Sequence, residues 1–211
     1  MKETAYTKPA LQRTCYYSFM ERAGFVLAGG RSTRMGRDKA LLRVGGQTLL
    51  ENAIRAVAAA TGYGAILGPP ERYAALGFPV FEDLYPSLGP LGGIETALAL
   101  GLADWNLIVA CDMPGISAGQ LRALLAQVPV EWPSATCVAA LGPSGPEPLC
   151  AVYHTSCLPV VRTALDRRAL KMRDLLGELR TVTVSGFALE SLANVNTPTD
   201  WADWGGGQQQ A

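Results

Sequence analysis

The sequence has one histidine, His154, and no excess charge of either sign: 18 basic side chains balance 18 acidic ones. A neutral molecule has no overall electrostatic reason to seek nucleic acid or an anionic lipid surface, so any anion it binds must be held locally. His154 follows an apolar strand pattern and has no identifiable partner, so no Ser/His or Cys/His nucleophile can be picked out. The five cysteines (Cys15, Cys111, Cys137, Cys150, Cys157) are odd in number and form no C-x-x-C pair. That argues against a disulfide framework or a zinc site and fits a reducing cytoplasm. No stretch approaches the roughly 18 apolar residues of a membrane-spanning helix. Polar residues interrupt the first 22 positions, where a signal peptide would be apolar.

What is present is material for a core. Apolar residues make up 49% of the 211, against 17% charged, which suits one folded domain. Residues 1–22 show no periodicity and read as an N-terminal extension, with Met20 as an alternative translation start; residues 205–211, GGGQQQA, read as a flexible tail. Between them, residues 23–204 form the expected domain. Short apolar runs at 24–28, 64–67, 79–81, 107–111, 135–140, 149–153 and 181–184 predict strands. Capping boxes at Thr48–Glu51 and Ser117–Gln120 open two helices, and Leu91, Ile94 and Leu98 mark a third. The alternation predicts an α/β fold, a mostly parallel, doubly wound sheet with its ligand at the carboxyl ends of the strands.

Three places carry chemistry. The first strand runs into Gly29 and Gly30, and five basic residues follow closely: Arg31, Arg34, Arg37, Lys39 and Arg43. Glycines let backbone N–H groups face phosphate oxygens, and the cations supply charge that the rest of the molecule lacks. The pattern is neither G-x-G-x-x-G nor a P-loop, so both of those fingerprints are disfavoured. Asp112 ends the run Leu107–Cys111, a suitable position for a carboxylate that holds Mg²⁺ beside substrate phosphates, although an aspartate here also suits a plain turn. Asp83 ends another short run, and Gly89–Gly93 forms a second glycine loop that leads into a helix. Near the end, Thr197 and Pro198 read as a helix start, which leaves Asn194 and Asn196 unexplained.

The ordered motifs LAGGRSTRMGRDKALL (27–42), ED (82–83), GPLGGI (89–94), ACDMP (110–114), EPLCAVY (147–153) and NVNTP (194–198) resemble those of the molybdenum cofactor guanylyltransferases, the MobA family. The similarity spans residues 23–204. It implies a Rossmann-like nucleotidyltransferase fold and transfer of GMP from GTP to molybdenum-molybdopterin, with Mg²⁺ as cofactor and molybdoenzymes or their chaperones as recipients of the product. It also implies that Leu27, Ala28, Gly29, Gly30, Lys39 and Asp83 contact the nucleotide and that Asp112 binds it through the metal. Arg34 and Lys39 would neutralise the phosphates, and Asn194 and Asn196 would lie near substrate. Some members have an asparagine where this chain has Gly68, so a contact made there is expected to be lost or taken over by backbone. The alternatives are a related transferase using CTP or a sugar phosphate, and a non-enzymatic nucleotide-binding adaptor.

Overall fold

The computed structural model describes residues 20–29, 38–44, 46–129 and 135–204. Gly30, Arg31, Arg34 and Arg37 lie outside these, as do residues 1–19 and 205–211, on which the extension and tail expectations fall. The first strand, β1 (Met20–Leu27), starts upstream of the expected boundary. Met20 and Arg22 pair with Ala103 and Trp105, so residues 20–22 belong to the sheet and not to an extension. Backbone pairing places them there, and side-chain periodicity gives no sign of it.

A short antiparallel pair, β2 (Arg43–Val44) and β3 (Gln47–Thr48), delivers Thr48 to the start of α1 (Leu49–Thr61). The capping box forms as expected. The Thr48 side chain accepts from the Glu51 N–H at 3.1 Å, and the Glu51 carboxylate accepts from the Thr48 N–H at 2.7 Å. Such a cap stabilises a helix by about 1 kcal/mol. The chain continues through β4 (Gly64–Leu67), α2 (Pro70–Tyr73), β5 (Val80–Phe81), α3 (Pro90–Ala99) and β6 (Ala103–Ala110). Next come α4 (Ala118–Leu125), opened by the second capping box at Ser117 and Gln120, then β7 (Cys137–Gly142) and β8 (Gly145–His154). The last elements are α5 (Leu158–Asp166), α6 (Met172–Glu178), β9 (Thr181–Val184) and α7 (Pro198–Asp203). Thr197 caps α7 and Pro198 occupies its first turn, as the sequence suggests.

The main sheet has strand order β5-β4-β1-β6-β8-β7-β9, and β8 alone runs against its neighbours. From β1 the chain moves outward on one side to β4 and β5, then returns to place β6 on the other side of β1. The carboxyl ends of β1 and β6 therefore flank the topological switch point, where an open α/β sheet leaves a crevice for ligand.

Alternation along the strands sorts the core into two layers. Val26, Ile66, Leu107 and Val109 face α1 and α4, while Phe25, Ala65 and Ile108 face α3, α5 and α6. A third, smaller cluster of Leu42, Leu49, Val195 and Trp201 fastens the segment before α7 against the start of α1. Among the described residues no helix is long and apolar enough to cross a membrane.

Candidate active site

The switch point opens into a cleft of about 620 Å³, lined by residues from both flanks. Leu27 and Gly29 follow from β1, Ala110, Cys111 and Asp112 from β6, and Asp83 from the turn after β5. Lys39, Asn194 and Asn196 complete one wall, and Pro86, Ser87, Gly89 and Pro90 form the other rim. The sequence motifs thus converge although they are far apart in the chain.

At the centre, the Lys39 ammonium donates to Asp112 Oδ2 at 2.5 Å and to Asn196 Oδ1 at 3.1 Å. Val195 N–H donates to the Asp112 carbonyl at 2.9 Å, so the NVNTP segment is docked directly on the carboxylate's own backbone. This accounts for Asn196, which the helix-start reading left unexplained: its amide oxygen holds the lysine. Asn194 lines the same wall. Asp112 is 7% exposed, and its second oxygen, Oδ1, is buried with no hydrogen-bond partner among the described residues. A buried carboxylate oxygen left unpaired costs on the order of 1–3 kcal/mol or more, a penalty that a bound cation would remove.

This donor set is compatible with a hard divalent cation that takes few protein ligands. Among the described residues no group of three or more His, Cys, Asp or Glu side chains could cage an ion. Mg²⁺ needs no such cage, because it is usually bound through one or two carboxylates and completes its shell with phosphates and water.

Asp83 behaves differently. Its Oδ1 accepts from the Tyr85 N–H at 2.8 Å and from the Thr96 hydroxyl at 3.4 Å, which folds the 83–85 turn against α3. That close approach needs Gly92, where a Cβ would come within 2.6 Å of the Tyr85 carbonyl oxygen. Burial raises the Asp83 carboxyl above its usual range, against the lowering effect of these hydrogen bonds.

Leu149 reaches the cleft because β8 bulges. The register jumps from Ala139↔Ala151 to Ala140↔Glu147, and the Tyr153 hydroxyl braces the bulge by donating to the Pro148 carbonyl at 2.7 Å. Cys111 also lines the cleft, but burial, reinforced by the Asp112 charge, pushes its thiol up to about 12. It stays protonated at neutral pH and offers no nucleophile.

Ala28 does not line the cleft. Its N–H donates to the Leu67 carbonyl at 2.9 Å and its carbonyl lies 2.8 Å from the Tyr73 hydroxyl, so its backbone is packed into the scaffold that carries Gly29. At Gly29 a Cβ would meet no atom of the described residues within 4 Å. At Gly68 a Cβ would approach Tyr73 Cε2 to 3.0 Å. The space beyond Gly68 is thus bounded by the Tyr73 side chain and by the Ala28 carbonyl, 3.3 Å from such a Cβ. Asp38 was also missed by the sequence reading, although it stands beside Lys39 in the first motif. Tyr73 sits in a short helix with no motif around it.

A family model for the MobA-like NTP transferase domain matches residues 24–182, three quarters of the chain. The chain belongs to that family. A relative from Deinococcus radiodurans named "Probable molybdenum cofactor guanylyltransferase" is 36% identical over 182 residues, covering 86% of this chain and 92% of the relative. One of the same name from Synechococcus elongatus is 39% identical over 192 residues, covering 86% of this chain and 97% of its own length. Among solved structures, molybdopterin-guanine dinucleotide biosynthesis protein A from Archaeoglobus fulgidus shares the fold with a TM-score of 0.70 at 23% identity, covering 86% of this chain and 95% of that one.

Proposed function

We propose that this MobA-like enzyme transfers GMP from GTP to the terminal phosphate of molybdenum-bound molybdopterin, forming the guanine dinucleotide cofactor and pyrophosphate. The names of its relatives supply the acceptor and the base. The observation that carries the chemistry is the buried, unpartnered Asp112 Oδ1 beside the Lys39 ammonium at the switch-point cleft.

In this reaction an oxygen of the pterin phosphate forms a bond to the α-phosphorus of GTP, the bridging bond from the α- to the β-phosphate breaks, and pyrophosphate departs. The attacking phosphate is ionised at neutral pH, so no general base is needed. The protein's tasks are to align two anions and to neutralise charge on the leaving group. Asp112 would hold Mg²⁺ through its Oδ1 oxygen. When bound, Mg²⁺ supplies Lewis-acid neutralisation of the phosphates. Lys39, held by Asp112 and Asn196, places a positive charge beside that carboxylate. Leu27 and Gly29 would contact the nucleotide from the β1 side, Asp83 from the turn after β5 and Asn194 from the Lys39 wall. Arg34 and Gly30 would add a cation and a backbone N–H from the first motif.

Gly29 is in keeping with the guanine reading, because a glycine at this cleft-lining position presents no Cβ to the base. The test is incubation with each of the four nucleoside triphosphates, Mg²⁺ and molybdenum-loaded molybdopterin, followed by mass analysis of the cofactor. The guanine dinucleotide as dominant product is expected. A cytidine adduct as main product would overturn the guanylyl assignment and leave nucleotidyl transfer standing. No adduct and no pyrophosphate would favour a silent binding protein. A cytoplasmic location and delivery of the product to molybdoenzymes or their chaperones accompany this reading.

A further inference from the structure

A single buried hydroxyl connects both stems of the first motif. Tyr73 is fully buried, and its phenol oxygen lies 2.8 Å from the Ala28 carbonyl and 2.8 Å from Asp38 Oδ2. Ala28 follows β1 and precedes Gly29, while Asp38 precedes Lys39, so one atom sets the separation between the strand end and the lysine. The phenol has one hydrogen to donate, and the ionised carboxylate is the stronger acceptor. The ring gets this close because residue 68 is glycine: a Cβ there would lie 3.0 Å from the ring and 3.3 Å from the Ala28 carbonyl carbon and oxygen.

Asp38 passes the constraint on to Lys39. Its Oδ1 accepts from the Ala40 N–H at 3.1 Å, capping the 3₁₀ turn Lys39–Leu41 that begins with the lysine. The Arg72 guanidinium, 3.5 Å from Oδ2, adds an outer charge to the same carboxylate. Burial, then the bond to Asp38, pushes the Tyr73 phenol well up, which keeps the donor protonated.

We propose that Tyr73 and Asp38 form a latch that positions Lys39 for nucleotidyl transfer, with Tyr73 acting only through Asp38. Both are positioning residues. The proposal rests on the functional reading above for what Lys39 does, and on geometry alone for the latch.

The test compares Tyr73→Phe, Asp38→Asn and the double variant in steady-state turnover with GTP and molybdenum-loaded molybdopterin, alongside melting temperature and hydrogen exchange at the Ala40 amide. Tyr73→Phe keeps the ring over Gly68 and removes the hydroxyl. Kcat is expected to fall about tenfold, since small misplacements of aligned groups cost rate steeply, with KM for GTP changing less than about threefold. Ala40 exchange should quicken severalfold, and adding Tyr73→Phe to Asp38→Asn should cost nothing further, because the two act through one contact. Gly68→Ala, which crowds the ring while keeping the hydroxyl, should lower kcat in the same direction by a smaller factor. Multiplicative losses in the double variant, or a kcat loss explained by a smaller folded fraction, would overturn the latch. If the wild-type protein transfers no nucleotide to any acceptor, the functional reading fails instead. The latch is then judged on Ala40 exchange, where a wild-type rate in Tyr73→Phe overturns it.

Discussion

Two aspartates line the same cleft, and their surroundings separate their tasks. Asp112, at the end of β6, shares one oxygen with Lys39 and keeps the other buried without a partner among the described residues. Asp83, past β5, gives its Oδ1 to the Tyr85 N–H and the Thr96 hydroxyl. The first keeps an oxygen that a cation could satisfy, whereas the second is largely occupied in shaping its own loop. Residue type and strand-end position are the same in both. What differs is whether the fold buries an acceptor that no described residue satisfies.

The sharpest way to break this contrast is Asp112→Asn. It preserves shape and removes the charge that would hold Mg²⁺, so turnover should fall by about 10³-fold or more with the fold retained. Near wild-type kcat in Mg²⁺ would end the assignment. Lys39→Ala comes next, with about a 10²-fold loss in kcat/KM and weaker GTP binding by titration calorimetry, because the ammonium held by Asp112 and Asn196 is removed from the cleft. Unchanged affinity and turnover would make Lys39 a surface charge.

Asp83→Asn should cost turnover only about tenfold, in keeping with one contact to the nucleotide; a loss as deep as that of Asp112→Asn would erase the distinction. Its clearer effect concerns pH. Because burial raises the folded-state value of Asp83, the folded protein binds this proton more tightly than the unfolded chain. The stability it contributes is complete below the unfolded value and is lost as pH rises through the folded one. Asp83→Asn should therefore flatten the melting-temperature profile over that mildly acidic interval, and an unaltered profile would count against the buried carboxyl. The smallest effect is expected from Gly29→Ala. With no atom of the described residues within 4 Å of the added Cβ, melting should not change. The ratio of GTP to CTP turnover should drop severalfold, and an unchanged ratio would exclude this position from base selection.

Much of the sheet was legible because its strands are bounded by glycine, proline and two true capping boxes, local signals that survive in the folded chain. The start of β1 was not, since Met20 and Arg22 are held by pairing with β6, eighty residues away in sequence. Within the site, Lys39 and Asp112 could be chosen because charge among glycines and a carboxylate at a strand end each have a chemical meaning on their own. The work of Tyr73 could not be read that way. Its hydroxyl matters because Ala28 and Asp38 meet it from two directions, and the vacancy that admits its ring is the missing side chain of Gly68.

The Lys39 to Asn196 contact joins positions 157 residues apart. Closing a loop of that length early is entropically unfavourable, and the cluster of Leu42, Leu49, Val195 and Trp201 can form only once the segment carrying α7 is available. During synthesis, then, the strand and helix scaffold can assemble while the lysine still lacks its Asn196 acceptor. The Lys39 to Asn196 contact therefore belongs to the closing stage of folding, when a segment far along the chain docks on a scaffold already built.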